Sequence, residues 1–162
     1  PYGDGTTQQK VDEATKSINN GAFDIDFVCD YNAFKRGDFQ KFDTDIVEGT
    51  KICIQNKRIT KWIIETGALS KEEIMKISKR IVSLAQQYFP KNTENIFIKT
   101  STGYYSGYGA TIEDVKLIKS CSKNLKIKAS GGISNYEFAK DLILVGADRI
   151  GTSKAKIIYN QQ

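Results

Sequence analysis

Residues 95–103 read NIFIKTSTG, and residues 125–132 read LKIKASGG. Both are short apolar runs that end in a lysine, small polar residues and a glycine. Apolar runs of about four to eight residues bounded by turn chemistry predict strands. Between the two, TIEDVKLIKSCS has helical period, and a strand–helix–strand order joins parallel neighbours. Strands of a parallel sheet are normally buried on both faces. Lys99 and Lys128 therefore each place an ammonium group at the end of a strand with little water around it.

The same alternation extends in both directions. Upstream, SKEEIMKISKRIVSLAQQYF predicts a helix with a Ser70–Glu73 capping box and an apolar stripe of Ile74, Ile77, Ile81 and Leu84. ITKWIIET at 59–66 is a strand, and GDFQKFDTDIVEGTKICIQN is a helix through Phe39, Phe42, Ile46 and Ile52, weakened by Gly49. Residues 23–29 form another strand. TTQQKVDEATKSINNGA is a helix capped by Thr6 or Thr7, with Val11, Ala14 and Ile18 in phase, that stops at Gly21. Downstream, SNYEFAKDLILVGA predicts a helix, DRIGTS a short strand and KAKIIYNQ a closing helical turn. No linker or low-complexity segment divides residues 1–162, which predicts a single α/β domain. Polar landmarks at successive strand ends (Asp26, Glu65, Lys99, Lys128, Ser153) suit a (β/α) barrel, whose functional groups gather at the C-terminal ends of its strands. The competing doubly wound sheet lacks its expected GxGxxG turn.

Composition narrows the chemistry. The net charge of +5 is spread along the chain rather than clustered, and no stretch resembles a basic, aromatic-interleaved nucleic-acid surface. The chain has no histidine, which removes histidine-assisted nucleophiles and histidine-ligated zinc. Cys29, Cys53 and Cys121 are far apart and form no CxxC pair, so buried reduced thiols in a cytosolic protein are expected. No apolar run is long enough to cross a membrane as a helix.

The two-residue period of IFIKTS puts Phe97, Lys99 and Ser101 on one face and Ile96, Ile98 and Thr100 on the other. The β-branched face suits the helix layer, which leaves Lys99 pointing inward. In KIKAS, Lys126, Lys128 and Ser130 share the corresponding face. Solvated lysines on a half-exposed strand are the plain alternative. Two partly desolvated ammonium groups side by side would favour loss of a proton. A neutral amine attacks a carbonyl to form a Schiff base, and the protonated imine is an electron sink. An acid–base group is also needed. Asp26 lies within an apolar strand and requires a cationic partner or a catalytic role. Asp24 sits nearer the strand start, and Glu65 is a third candidate, either as a base or as an ion-pair partner that positions a lysine. In ASGGIS and RIGTS, backbone amides at Gly131, Gly132 and Gly151 with the Ser153 hydroxyl could cradle a phosphate.

FIKTSTG, GATIEDVKLI, IKASGGI and GADRIGTS resemble successive signatures of deoxyribose-phosphate aldolase. PYGDGTT, NGAFDIDFV and IIETGALSKEEI fit the same family, so the resemblance covers almost the whole chain. It implies a (β/α)8 TIM barrel of which this chain supplies roughly the last five βα units. The opening PYGDGTT, without Met and within turn chemistry, is expected to belong to a longer polypeptide. The implied activity is reversible cleavage of 2-deoxy-D-ribose 5-phosphate into acetaldehyde and D-glyceraldehyde 3-phosphate. By position, Lys99 matches the Schiff-base lysine, Lys128 the second lysine and Asp26 the proton-relay aspartate. Gly103, Gly131, Gly132, Gly151 and Ser153 match the phosphate-binding turns. The resemblance further implies no metal or organic cofactor, a phosphorylated sugar substrate, a cytoplasmic setting and a homodimer. Another Schiff-base sugar-phosphate aldolase, a transaldolase-like enzyme and a non-catalytic phosphate-binding barrel remain alternatives. Lys154 stands where the family commonly has a second serine, and Ser134 where it often has arginine.

Overall fold

The computed structural model describes residues 2–161. Strands β1 (Asp24–Val28), β2 (Ile59–Ile63), β3 (Ile96–Lys99), β4 (Lys126–Ser130) and β5 (Arg149–Gly151) pair in parallel, in sequence order. The helices are α1 (Thr7–Asn19), α2 (Tyr31–Lys35), α3 (Phe39–Gln55), α4 (Lys71–Tyr88), α5 (Ile112–Ser122), α6 (Tyr136–Leu144) and α7 (Ala155–Tyr159). An order that never reverses gives no switch point, which excludes the doubly wound alternative. The sheet is curled as well. Strands β1 and β5 are its two edges, yet Arg149 of one reaches Asp24 of the other across the inner face at 2.7 Å. The result is a half-barrel.

Alternate residues explain its layers. Ile25, Phe27, Thr60, Trp62, Ile96, Ile98, Ile127 and Ala129 are buried on the outer face, against helices that include α3, α4 and α5. Each large apolar side chain buried in this way contributes about 1.5–3 kcal/mol. Phe27 and Trp62 stack at 4.6 Å between centroids. Helix α3 runs unbroken through Gly49 because the Trp62 ring occupies that spot: a Cβ there would lie 2.8 Å from the indole. The Trp62 indole N–H donates to the Thr50 hydroxyl at 2.9 Å, so the buried ring keeps its polar partner.

The expected elements are all present. The capping boxes form at Ser70–Glu73 and at Thr6–Gln9. Thr7 is not the cap; its hydroxyl donates to Asp45. Buried Asp45 also accepts from Lys10 and Lys41, each at 2.6 Å, which pins α1 to α3. Helix α2 is an addition, capped by the Asp30 carboxylate on the Ala33 amide. Five residues are too few to display a helical period. All three cysteines are free and buried, as expected. Burial pushes the Cys53 thiol up to about 11 and raises that of Cys29 further. No helix among the described residues is long and apolar enough to cross a membrane.

Candidate active site

The inner face is polar because the pleat sends every other residue there. Parallel pairing sets Asp26 opposite Lys61, and Lys99 opposite Lys128 two residues further along. The ammonium of Lys99 donates to Asp26 Oδ2 at 2.7 Å, and that of Lys128 reaches the same oxygen at 3.1 Å. Lys99 is 9% exposed. The two lysines read from the sequence therefore meet at one carboxylate oxygen.

The other oxygen of Asp26 is taken by Lys61, 3.0 Å away and only 1% exposed. Lys61 also reaches Asp24 at 3.0 Å, and Asp24 in turn holds Arg149. Four cations thus surround two carboxylates. Burial alone would raise the Asp26 pKa. The hydrogen bond and charge of Lys99, then the charges of Lys61 and Lys128, outweigh burial and hold it well below the usual carboxylate range. Asp26 is accordingly a fixed anion between two amines.

Sequence reading missed Lys61 and Arg149. The signal for Lys61 was available: a lysine in the middle of a short strand buried on both faces demands a carboxylate. Asp26 stands directly across from it. The expectation for Glu65 requires correction. It makes no ion pair among the described residues and so positions no lysine. Its carboxylate instead accepts from the Thr102 amide at 3.2 Å and the Thr102 hydroxyl at 2.5 Å. The reason is local: the chain at Glu65 adopts φ 57°, where β2 gives way to the 3-10 turn Thr66–Ala68.

A cleft of about 620 Å³ runs from Lys99 and Lys128 to the glycine turns, lined along the way by Thr102, Gly103, Tyr104, Gly131, Gly132, Gly151, Ser153 and Lys154. Both lysines and every phosphate-turn residue read from the sequence line it; of the acid candidates, Asp26 reaches it through the two lysines, while Asp24 and Glu65 are not among its lining residues. Close packing explains two of the glycines. A Cβ on Gly151 would sit 2.9 Å from Lys128 Cε, and one on Gly131 would meet the Gly109 Cα at 2.8 Å. The floor of the cleft is tied across strands: Ser130 Oγ donates to the Ser101 carbonyl at 2.6 Å. The Thr152 hydroxyl, also missed, donates to the Ile133 carbonyl at 2.6 Å and joins the two glycine turns. Ser134 and Lys154 both border the cleft. A deep lysine pair at one end and a glycine-rich turn pair at the other suit a small carbonyl compound carrying an anionic tail.

No family model matches the chain. Curated relatives do. It is 40% identical over 154 residues to deoxyribose-phosphate aldolase 2 of Oceanobacillus iheyensis, covering 94% of this chain and 64% of that protein. It is 38% identical over 163 residues to deoxyribose-phosphate aldolase of Mycoplasmopsis pulmonis, covering 100% of this chain and 69% of that one. Among solved structures, the aldolase QR15 superposes with a TM-score of 0.85 at 38% identity, covering 99% of this chain and 67% of its own. The chain spans about two thirds of the length of the relatives it matches.

Proposed function

The chain belongs to the deoxyribose-phosphate aldolase family, and we propose that it carries the Schiff-base site of an enzyme that reversibly cleaves 2-deoxy-D-ribose 5-phosphate. The observation that carries this reading is the shared contact of Lys99 and Lys128 with Asp26 Oδ2. In the cleavage direction, neutral Lys99 attacks the aldehyde carbon C1 of the open-chain sugar. The carbinolamine loses water to give an iminium ion. The C2–C3 bond then breaks: its electron pair moves towards the iminium nitrogen, and the C3 hydroxyl gives up its proton. D-Glyceraldehyde 3-phosphate leaves, and the enamine is protonated at C2 and hydrolysed to acetaldehyde. The iminium is the electron sink, so the mechanism calls for neither metal nor organic cofactor.

Asp26 and Lys128 are the proton relay in this scheme. Lys128 exchanges a proton with the reacting groups, and Asp26, kept anionic by its lysines, holds both amines in line. The 5-phosphate lies at the other end of the cleft, on Gly103, Gly131, Gly132, Gly151 and Ser153, with Lys154 as a point charge. In the same proposal, residues 1–162 are one domain, the C-terminal portion of a (β/α)8 barrel. The free edge of β1, where a hollow of about 430 Å³ is lined by Gly3, Gln9, Lys10 and Ile25, is where further strands would add. A cytoplasmic setting and a homodimer complete it. Turnover of 2-deoxy-D-ribose 5-phosphate by the full-length protein tests the reading, with Lys99→Leu expected to lower it by on the order of 10⁴-fold. Equal rates in wild type and variant would leave no role for the amine.

A further inference from the structure

Glu65 is a buried carboxylate at a strand end that the scheme above leaves unused, and it is costly to keep. It is 1% exposed, it forms no ion pair among the described residues, and its backbone lies in the left-handed region, at φ 57°. One carboxylate oxygen, Oε1, is buried with no hydrogen-bond partner among the described residues. A non-glycine residue in that backbone region and an unpaired buried carboxylate oxygen each oppose folding. Their coincidence beside the lysine strand points to a role.

The backbone ladder shows which role. Beyond the last paired residues, the Ile64 amide donates to the Lys99 carbonyl at 3.0 Å, and the Thr66 amide to the Thr100 carbonyl at 2.9 Å. Further along the β3 side comes the Thr102 amide, and by then the β2 chain has turned into the 3-10 turn Thr66–Ala68. The Glu65 side chain takes the place of the missing carbonyl: Oε2 accepts from the Thr102 amide and hydroxyl. With its proton committed to Glu65, the Thr102 hydroxyl oxygen accepts from the Tyr104 amide at 3.0 Å. The far part of this loop is wedged independently. A Cβ on Gly67 would lie 2.5 Å from Tyr108 Cβ, and one on Gly109 would lie 2.3 Å from the Gly131 carbonyl oxygen. The start of the loop, Thr102 to Tyr104, is held through the Glu65 carboxylate, and that start is the cleft wall between Lys99 and the glycine turns.

We infer that Glu65 is a positioning residue, whose carboxylate extends the β2–β3 ladder by one rung and sets the cleft wall spanning Lys99 and the phosphate turns. The inference rests on the aldolase reading, because the wall matters only for a substrate long enough to occupy both ends. Acetaldehyde is not, so the two requirements separate experimentally. In the full-length protein, Glu65→Gln places an amide at the buried Oε1 position, and Thr102→Val removes the hydroxyl.

Each variant is expected to lower kcat/KM for 2-deoxy-D-ribose 5-phosphate by about 10- to 100-fold, mostly through KM, the size of one lost hydrogen bond to a charged group. Borohydride trapping of acetaldehyde at Lys99 should fall far less. The double variant should be no worse than the poorer single one, since the pair acts as a unit. Wild-type kcat/KM in Glu65→Gln, additive losses, or equal losses of turnover and acetaldehyde trapping would each overturn the assignment. A wild-type protein that traps no acetaldehyde would overturn the aldolase reading instead, and the inference with it.

Discussion

The outer and inner faces of the sheet use alternate residues of the same five strands. Outside, Ile25, Phe27, Trp62, Ile98 and Ile127 fill the space under the helices and are buried almost completely. Inside, Asp24, Asp26, Lys61, Lys99, Lys128 and Arg149 face one another in a chain of ion pairs. Outer-face contacts are non-directional and add stability in proportion to area. Inner-face contacts are directional, and at least for buried Lys61 they cost desolvation that pairing only offsets. A fold that needed stability alone would place apolar residues on both faces, as parallel sheets usually do. The inner face gives up part of that gain to hold two amines against one carboxylate oxygen.

If that division is right, substitutions on the two faces should fail in different assays. The largest effect expected here is on activity. Asp26→Asn keeps the shape but removes the anion common to three lysines, and should lower kcat by about 10²- to 10⁴-fold. The Tm should change modestly, since Lys61 keeps Asp24 as a partner. An unchanged kcat would break the comparison.

Trp62→Ala is the outer-face counterpart. It empties the space under Gly49, unstacks Phe27 and strands the Thr50 hydroxyl. The expected cost is about 3–5 kcal/mol in denaturant unfolding. The protein that remains folded should still trap acetaldehyde at Lys99, and loss of trapping while folded would blur the two faces.

The smallest effect concerns pH. Asp26 is held below the usual carboxylate range. A depressed carboxylate contributes stability that is present above its unfolded pKa and lost as pH falls through its folded one. The difference in unfolding free energy between wild type and Asp26→Asn should therefore be constant from neutral pH to about 5. It should close only below about pH 4. A difference that vanished between pH 7 and 5 would mean that the lysines do not hold the carboxylate as described.

How far the sequence led depends on the kind of signal. The period of two in IFIKTS and KIKAS was enough to aim Lys99 and Lys128 inward, because pleating is a local property of the chain. Strand and helix order followed from hydrophobic period for the same reason. Lys61 was passed over because its partners, Asp24 and Asp26, lie two helices away and become neighbours only through strand register. Arg149 was hidden by the curl of the sheet, which brings the two edges together and leaves no local trace. Glu65 was read as a strand-end acid, and its real partner depends on a left-handed backbone turn that a non-glycine residue does not advertise. Gly49 looked like a weakness in α3 until Trp62 was seen to fill the space beside it. What the chain conceals, then, is the pairing of side chains across strands, on which the inner face depends.

The central claim is that the Lys99 amine forms the Schiff base. Incubating the full-length protein with acetaldehyde and borohydride, then mapping the modified peptides by mass, tests it most directly. The account predicts one ethyl group, carried by Lys99 and absent when Lys99→Leu is treated in the same way. An adduct on Lys128 or Lys61 with none on Lys99, or no adduct at all, would contradict it.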